Sequence, residues 1–492
     1  MRTLDARLLD RGLDGVLETV PTYASLLVVY DRARISFAEL SRALLALATD
    51  LDAATVPGRL VEIPVRYDGE DLDEVASTCG MTREEVVARH SGRDYSALML
   101  GFSPGFAYMG FVEEALRLPR RRTPRTRVPA GSVAIAGAQT GVYPRSLPGG
   151  WNLLGRTTER LFDATTAEPS RLLPGDRVRF VPIDTLVPPV AEVKVRYDGH
   201  DVRVAEAGIL STIQDAGRPG LRRVAVPTTG FADAEAARRA NACVSNPPGH
   251  PVIEICGPGL HLEFGRSAFV ALSGARVRAT LERADFESGR MTMPMDVAVR
   301  ARPGNVLSIS ALEGGTRVYV AIAGLEAPRV LGSASVDLGS GFLRPLEAGD
   351  GFVLREVDAD RVRRDPISSS PQRQTIRVIL GPQADHFDDA AIDLFLGAEW
   401  SVGLDSDRVG ARLNGPRIPH AGATEIVSDG MVPGCIQIPP DGRPIVMLAD
   451  CPTTGGYPKV ACVVTADLGL VAQARPDETR FRFVAVSVDA LD

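Results

Sequence analysis

GFSPGFAYMGFVEEALRLPRRRTPRTRVPAGSVAIAGAQTGVYPRSLPGGWNLLGRT, residues 101–157, carries three features in close succession. A loop rich in glycine and proline holds Phe102, Pro104, Gly105, Phe106 and Tyr108. A cationic run follows, with Arg120, Arg121, Arg122, Arg125 and Arg127. A short apolar strand, Val133-Ala134-Ile135-Ala136, then ends in Gln139-Thr140-Gly141-Val142-Tyr143-Pro144. Glycine lets a backbone approach a ligand closely, and proline fixes the loop that does so. Arginines packed this densely repel one another unless an anion lies nearby. The mixture of Gly, Pro, aromatic and Arg between strands marks a site rather than a plain solvated surface.

Outward from this stretch the chain reads as β units. Residues 1–90 form a small α/β unit. Residues 25–30 are a strand, 36–50 a helix capped by Ser36 with Glu39 three residues on, and 60–67 an alternating strand. Thr82 caps a further helix, and His90 near its end is expected at the surface. Turns built from Pro, Gly and Asp precede strands at 173–182, 302–310, 347–354 and 475–484, so closing strands repeat. A second repeat pairs Thr140-Gly141-Val142-Tyr143-Pro144 with Thr454-Gly455-Gly456-Tyr457-Pro458, and predicts duplicated barrels sharing one loop geometry. Only one long helix is expected downstream, at 232–244. Linkers at 186–191 and 365–374 divide the chain into 1–90, 91–188, 189–370 and 371–492.

A length of 492 residues exceeds one ordinary core. The hydrophobic and charged fractions, 45% and 24%, are those of a soluble globular protein. A net charge of -7 gives no reason to expect nucleic acid, and no apolar run approaches the length of a membrane span. The N-terminus has no continuous apolar region and does not read as a signal peptide. Six cysteines without C-x-x-C spacing point to reduced thiols in the cytoplasm. Six scattered histidines make a protein-held metal site improbable. Only two lysines, Lys194 and Lys459, stand among 55 basic residues, which singles them out because lysine pKa is tunable.

Phosphate-loop, dinucleotide, nucleophile-elbow and biotin-attachment signatures are absent from the sequence. What the residues themselves predict is a multi-barrel β protein with two sites for a small anion. The strings Tyr67-Asp68-Gly69-Glu70-Asp71-Leu72, residues 101–110 and residues 119–157 resemble the B subunit of 5-oxoprolinase, the Kip-type or allophanate hydrolase subunit 1 family. Downstream, residues 212–218, Glu254-Ile255-Cys256-Gly257-Pro258, residues 406–413 and residues 454–458 resemble the C subunit of 5-oxoprolinase, the allophanate hydrolase subunit 2 or biotin-dependent carboxyltransferase family. The chain is thus similar to a natural fusion of the two. It departs from the family at Gly332-Ser333-Ala334-Ser335-Val336, where Gly-Ser-Arg-Ser-Thr is usual, and at Asp450-Cys451-Pro452-Thr453.

The resemblance implies a mainly β fold with an α/β N-terminal domain and three cyclophilin-like β-barrels in series. It implies ATP-dependent (Mg-dependent) opening of 5-oxoproline to glutamate together with the separate A subunit of 5-oxoprolinase. The same module serves as the carboxyltransferase of urea carboxylase, with biotin on a separate carrier, and family members also inhibit a sensor histidine kinase. A homo-oligomer is compatible with the sequence. The candidate acids, bases and charge-stabilising groups are Asp215, Asp407, Asp450 and Lys459. Arg125, Arg156, Arg218, Arg408 and Arg412 are candidate clamps for an anion. Gln139, Gln214 and Gln437 suit an amide edge, with Thr140, Tyr143, Thr454 and Tyr457 on the two Thr-Gly loops.

Overall fold

The computed structural model describes residues 1–49, 58–187, 195–282, 289–358, 360, 362, 365–367 and 374–488. Lys194 and most of both linkers lie outside them. The protein is mainly β, with three curled, barrel-like sheets, each filled by its own apolar cluster.

The first sheet has seven strands in the order Asn152–Arg156, Ser132–Ala136, Gln139–Val142, Ala107–Gly110, Asp94–Leu100, Arg177–Pro182 and Leu60–Val65. Its first and last strands in the chain lie side by side and parallel, Leu60 opposite Arg177. Burial alternates along Arg177–Pro182: Val178 and Phe180 face the core, and arginines face out. Ile63 and Val65 of the partner strand are buried in the same core. The strand at Leu60–Val65 therefore belongs to this sheet rather than to the helices before it. The third sheet closes the same way. Thr375–Leu380 and Arg482–Ala485, the first and last strands of that unit, run parallel at one edge. Between these two sheets lies a nine-stranded sheet dominated by two long antiparallel strands, Ala268–Glu282 and Val306–Ile322. The turn-then-strand pattern thus marks closing strands at Arg177–Pro182 and Arg482–Ala485, whereas the turn at 302–305 leads into Val306–Ile322, an interior strand of the middle sheet.

The repeated Thr-Gly loop does not have one geometry. Thr140 and Gly141 lie inside a strand of the first barrel, whereas Thr454–Gly455 pairs with Asp429–Gly430 in a two-stranded ribbon outside the third. The strands around them differ in order, so a shared sequence string has been put to two backbone uses.

Helix ends follow the sequence closely. Phe37–Ala48 and Arg83–Ser91 both carry reciprocal capping boxes, Ser36 with Glu39 and Thr82 with Glu85. Ala234–Cys243 is the expected alanine-rich helix, capped by Asp233, and its small side chains let it lie close against the middle sheet. Asp389–Gly397 is a second downstream helix that the sequence pattern does not announce, because it spans little more than two turns.

His90 is not at the surface. It is fully buried and bonds Tyr67 Oη at 2.8 Å and Thr140 Oγ1 at 2.9 Å, stacking on Phe180. Burial holds its pKa down to about 3. The unfolded chain then binds a proton near pH 6.5 that the native state refuses, so stability is lost as pH falls below that value. Replacing His90 by Phe should cost on the order of 2 kcal/mol at pH 7, by stranding Tyr67 Oη, and should flatten the loss of stability between pH 6.5 and pH 4. Chemical denaturation across that range checks both effects.

Candidate active site at the meeting of three sheets

The N-terminal unit and the three sheets converge on one region. The hairpin Val16–Pro21 and Leu26–Tyr30 acts as a clamp. Glu18 pairs with Arg222 at 3.0 Å and also accepts from the backbone N–H of Gly220, both on a loop of the middle unit. Arg222 continues to the carbonyl of Met431 in the third unit at 2.8 Å. Ser25 Oγ donates to Asp429, and the backbone of Gly430 packs on Leu27. The third unit also docks directly on the middle sheet, where Gln473 accepts from the N–H groups of Thr316 and Arg317 and donates to Asp233.

The opening loop of the first barrel closes the ring. Gly101 is buried against Thr454, and a Cβ there would collide with its Oγ1. Phe102 sits at φ 67°, a strained conformation for a bulky aromatic. Thr229 at 58° and Leu331, Leu343 and Ala225 at 52°, 62° and 63° share this strain on the facing loops. Such outliers persist only where the surroundings over-determine them, and they gather at functional sites.

Charge is concentrated at the same place. Arg408, with only 10% of its side chain exposed, grips Asp450 through Nε and Nη2, both at 3.0 Å; it also donates to Glu254 and, at 2.6 Å, to the carbonyl of Gly230. Burial alone would lower the Arg408 pKa, but Asp450 and Glu254 raise it above its ordinary value. Burial would likewise raise Glu254, yet Arg408 and Arg317 outweigh it and hold Glu254 low. Asp450 is the less well compensated of the two. Burial, with Asp337 and Glu254 near, pushes it up to about 6 despite Arg408. Carboxylates whose environments drive their pKa values apart are a recurrent basis for acid and base roles.

Arg218 is the second feature. It is 2% exposed, its Nη2 donates to the carbonyl of Ser335, and its guanidinium lies 5.2 Å over the ring of Phe342. Burial lowers its pKa, with Asp337, Asp215 and Asp450 opposing. Its Nε and Nη1 are buried without a partner among the described protein atoms, as are Gln214 Oε1, Thr453 Oγ1 and Ser103 Oγ. Buried polar groups are normally satisfied, so orphans on three converging units call for a ligand or water. Phe342 also packs on Phe162, which lies against Gly105 of the opening loop.

The expected residues divide into groups. Gln214 and Arg218 bond the adjacent carbonyls of Val336 and Ser335, the charges of Asp215 and Asp450 act on Arg218, and Arg408 grips Asp450, with Thr454 and Gln437 on the adjoining ribbon and strand. Asp215 is fully engaged, accepting from Ser333, Ser335, Ala334, Gly217 and Arg329, and so acts as the tie of its loop. Lys459 is buried and neutralised by Asp429 at 2.6 Å, with Gln383 also on that carboxylate. Gln437 reaches the carbonyl of Tyr457 at 3.5 Å, and Tyr457 itself is partly exposed. Tyr143 is packed in an aromatic cluster with Phe106 and Trp151, and Thr140 serves His90 and Ala134 inside the first barrel. Gln139 donates to Tyr23. Asp407 caps its own turn, Arg412 is an exposed partner of Asp405, and Arg156 is an exposed partner of Asp68. Arg125 and Arg121 converge on Asp71, so acidic neighbours quench much of the arginine run. Glu254, Asp337 and Ser103 carry no local signal of a role. Glu254 stands out only as part of a family string, and no local pattern shows that it meets Arg408 across 154 residues.

Comparisons with known proteins cover both halves. The family model described as carboxyltransferase domain, subdomain A and B, matches residues 224–485, and that for subdomain C and D matches residues 1–172. The chain is 34% identical over 277 residues to the 5-oxoprolinase C subunit of Escherichia coli (strain K12), covering 55% of this chain and 87% of that one. It is 43% identical over 182 residues to the 5-oxoprolinase B subunit of Escherichia coli O157:H7, covering 36% and 83%. The crystal structure of TTHA0988 superposes with a TM-score of 0.87 at 38% identity over 98% of this chain and 96% of that one. The crystal structure of the K. lactis urea amidolyase superposes with a TM-score of 0.52 at 27% identity, over 60% of this chain but only 19% of that one.

Two outcomes are expected. Arg408→Ala strands Glu254 and Asp450 as buried charges and should destabilise the protein by about 3–5 kcal/mol in denaturant unfolding. Asp450→Asn should remove an ionisation near pH 6 from the pH–rate profile. Folded Asp450 holds its proton more tightly than the unfolded chain, so its favourable contribution exists at acid pH and is lost as pH rises to about 6. The Asn variant should therefore also flatten stability over that interval.

Proposed function

Because the chain belongs to the carboxyltransferase-domain family, joining counterparts of the B and C subunits of 5-oxoprolinase in one polypeptide, we propose that it opens 5-oxoproline to glutamate together with a separate A subunit. The observation that carries this reading is Arg218, a buried guanidinium with two unpaired donors where the B-type and C-type halves meet. A 5-oxoproline molecule presents a carboxylate and a planar lactam. Arg218 suits the carboxylate, and Gln214 Oε1 suits the lactam N–H. Asp450, poised near pH 6, is the group to take up and return a proton as the C–N bond opens. Gly101 of the opening loop packs against Thr454 of the ribbon, where the first and third units meet.

ATP with Mg is part of this reading, and four helix starts of this chain do not fit a phosphate cradle. Four helices have their leading N–H groups already bonded by Ser36, Thr82, Asp233 and Asp388. All four also begin with acidic residues that repel phosphate, Glu39, Glu84 with Glu85, Glu235 and Asp389. In this reading the nucleotide chemistry is assigned to the A subunit. The six cysteines are free thiols, in keeping with action in the cytoplasm, and no described helix is long and apolar enough to cross a membrane.

A carboxyltransferase acting on a urea-type amide, with biotin on a separate carrier, is the second reading. The urea amidolyase structural match favours it, and urea offers the same planar amide to Gln214. Urea has no carboxylate, so Arg218 separates the two. With ATP and the A subunit present, glutamate release from 5-oxoproline should fall about 10–100-fold in kcat/KM for Arg218→Ala, the loss of a charge-assisted hydrogen bond. Unchanged turnover in a folded variant, or ATP hydrolysis indifferent to 5-oxoproline, would overturn the lactamase reading.

A further inference from the structure

The third unit holds a pair of thiols that the proposed reaction does not use. Cys435 and Cys462 face one another across the antiparallel strands Cys435–Gln437 and Lys459–Val463. The hydrogen bond from Val463 N–H to the Gly434 carbonyl, at 2.8 Å, runs between their neighbours, so the two cysteines occupy a non-hydrogen-bonded position. Cα atoms approach most closely at such positions, about 4.5 Å apart, which lies within the span a disulfide bridges. Cys462 Sγ lies 3.9 Å from the carbonyl of Val463, on the same strand pair as Cys435. Cys462 is partly exposed while Cys435 is buried, so a small oxidant has a route to the pair. Met431, Met447 and Cys451 complete a sulfur-rich patch around them.

Their position gives the pair a consequence. The register shifts beside Gln437, placing Lys459 opposite Gln437 just as Cys462 lies opposite Cys435. The ribbon Thr454–Gly455 rests directly on Gln437 and Met431. The strands joined by the thiols are therefore those that support the Thr454 rim and the Lys459–Asp429 pair.

We propose that Cys435 and Cys462 form a reversible cross-strand disulfide on exposure to a hydroperoxide, locking these two strands beneath the candidate active site. The Cys435 thiolate attacks one peroxide oxygen, the O–O bond breaks, and a sulfenic acid forms as the departing hydroxide takes up a proton. The Cys462 sulfur then attacks the sulfenic sulfur and expels water. In sum two thiols lose two electrons and two protons, and hydrogen peroxide becomes two waters. The neighbouring Cys462 thiol lowers the Cys435 thiol below its ordinary value, which favours it as the attacking group. Cys451 donates to the carbonyl of Pro452 at 3.2 Å and burial raises its pKa, so it stays a thiol.

The test uses the full-length chain, reduced and then treated with hydrogen peroxide, alkylated and digested without reductant. Mass spectrometry should find the Cys435 and Cys462 peptides linked, lighter by two hydrogens and separated again by dithiothreitol. Amide hydrogen exchange at 435–437 and 459–463 should slow in the oxidised form. Cys462→Ser should leave a dimedone-reactive sulfenic acid at Cys435, and Cys451→Ser should still form the link. Should a variant fail to fold, the wild-type peptide map decides alone. Both cysteines remaining alkylatable, separate sulfinic acids, or a bond to Cys451 would each overturn the proposal. None of these readouts depends on 5-oxoproline turnover.

Discussion

A single guanidinium ties two buried carboxylates, Glu254 and Asp450, together where two sheets meet. Arg408 comes from the third unit, yet two of its partners, Glu254 and the Gly230 carbonyl, belong to the middle unit. Buried charges are tolerated only when paired, and here the pairing can be completed only if the two sheets dock. The arrangement is uneven: two carboxylates and one carbonyl share one cation. Arg317 lies near enough to help Glu254, at 3.7 Å, and among the described ion pairs nothing comparable helps Asp450. The proton affinity of Asp450 is thus a consequence of how the sheets meet rather than of its own strand.

The same logic extends to the N-terminal unit. Glu18 and Arg222 have buried side chains, and each finds its partner on another unit. Asp5 is buried as well and pairs with Arg223 at 3.0 Å. Docking is therefore driven by polar groups that would be costly to bury alone, with apolar contacts such as Val226 against the first barrel's core supplying the area. Ion pairs of this kind fix geometry, and geometry is what loops such as Phe102 and Thr229 need in order to hold strained conformations.

Much of the fold is legible in the sequence because its signals are local. Ser36 with Glu39 and Thr82 with Glu85 announce helix starts by spacing alone, and the turns before Arg177–Pro182 and Arg482–Ala485 announce closing strands. The barrels follow from the resemblance of long strings rather than from any one local pattern. What stays hidden is whatever depends on distant partners. His90 looks like a helix-end residue because its partners Thr140 and Tyr67 lie 50 and 23 positions away. The Thr-Gly-x-Tyr-Pro repeat is real as a string, but its first copy pairs within a barrel and its second with Asp429–Gly430. Within the site, Arg218, Arg408 and Asp450 can be named as candidates, because they lie in or beside the strings that resemble the C subunit of 5-oxoprolinase. Lys459 stands out by its rarity, and only coordinates reveal Asp429 beside it. Glu254 sits in a strand of otherwise apolar residues, and only the docked sheets show why it is charged.

The placement of the ligand where the two halves meet, against Arg218, is tested most directly by a crystal structure of the full chain with 5-oxoproline bound. The carboxylate should lie within hydrogen-bond distance of Arg218 and the lactam edge at Gln214, enclosed by Ser103 and Thr453. A ligand seated instead in the surface cleft lined by Tyr67, Leu72, Arg83 and Val87, the largely open groove beside the helix Arg83–Ser91, would contradict it.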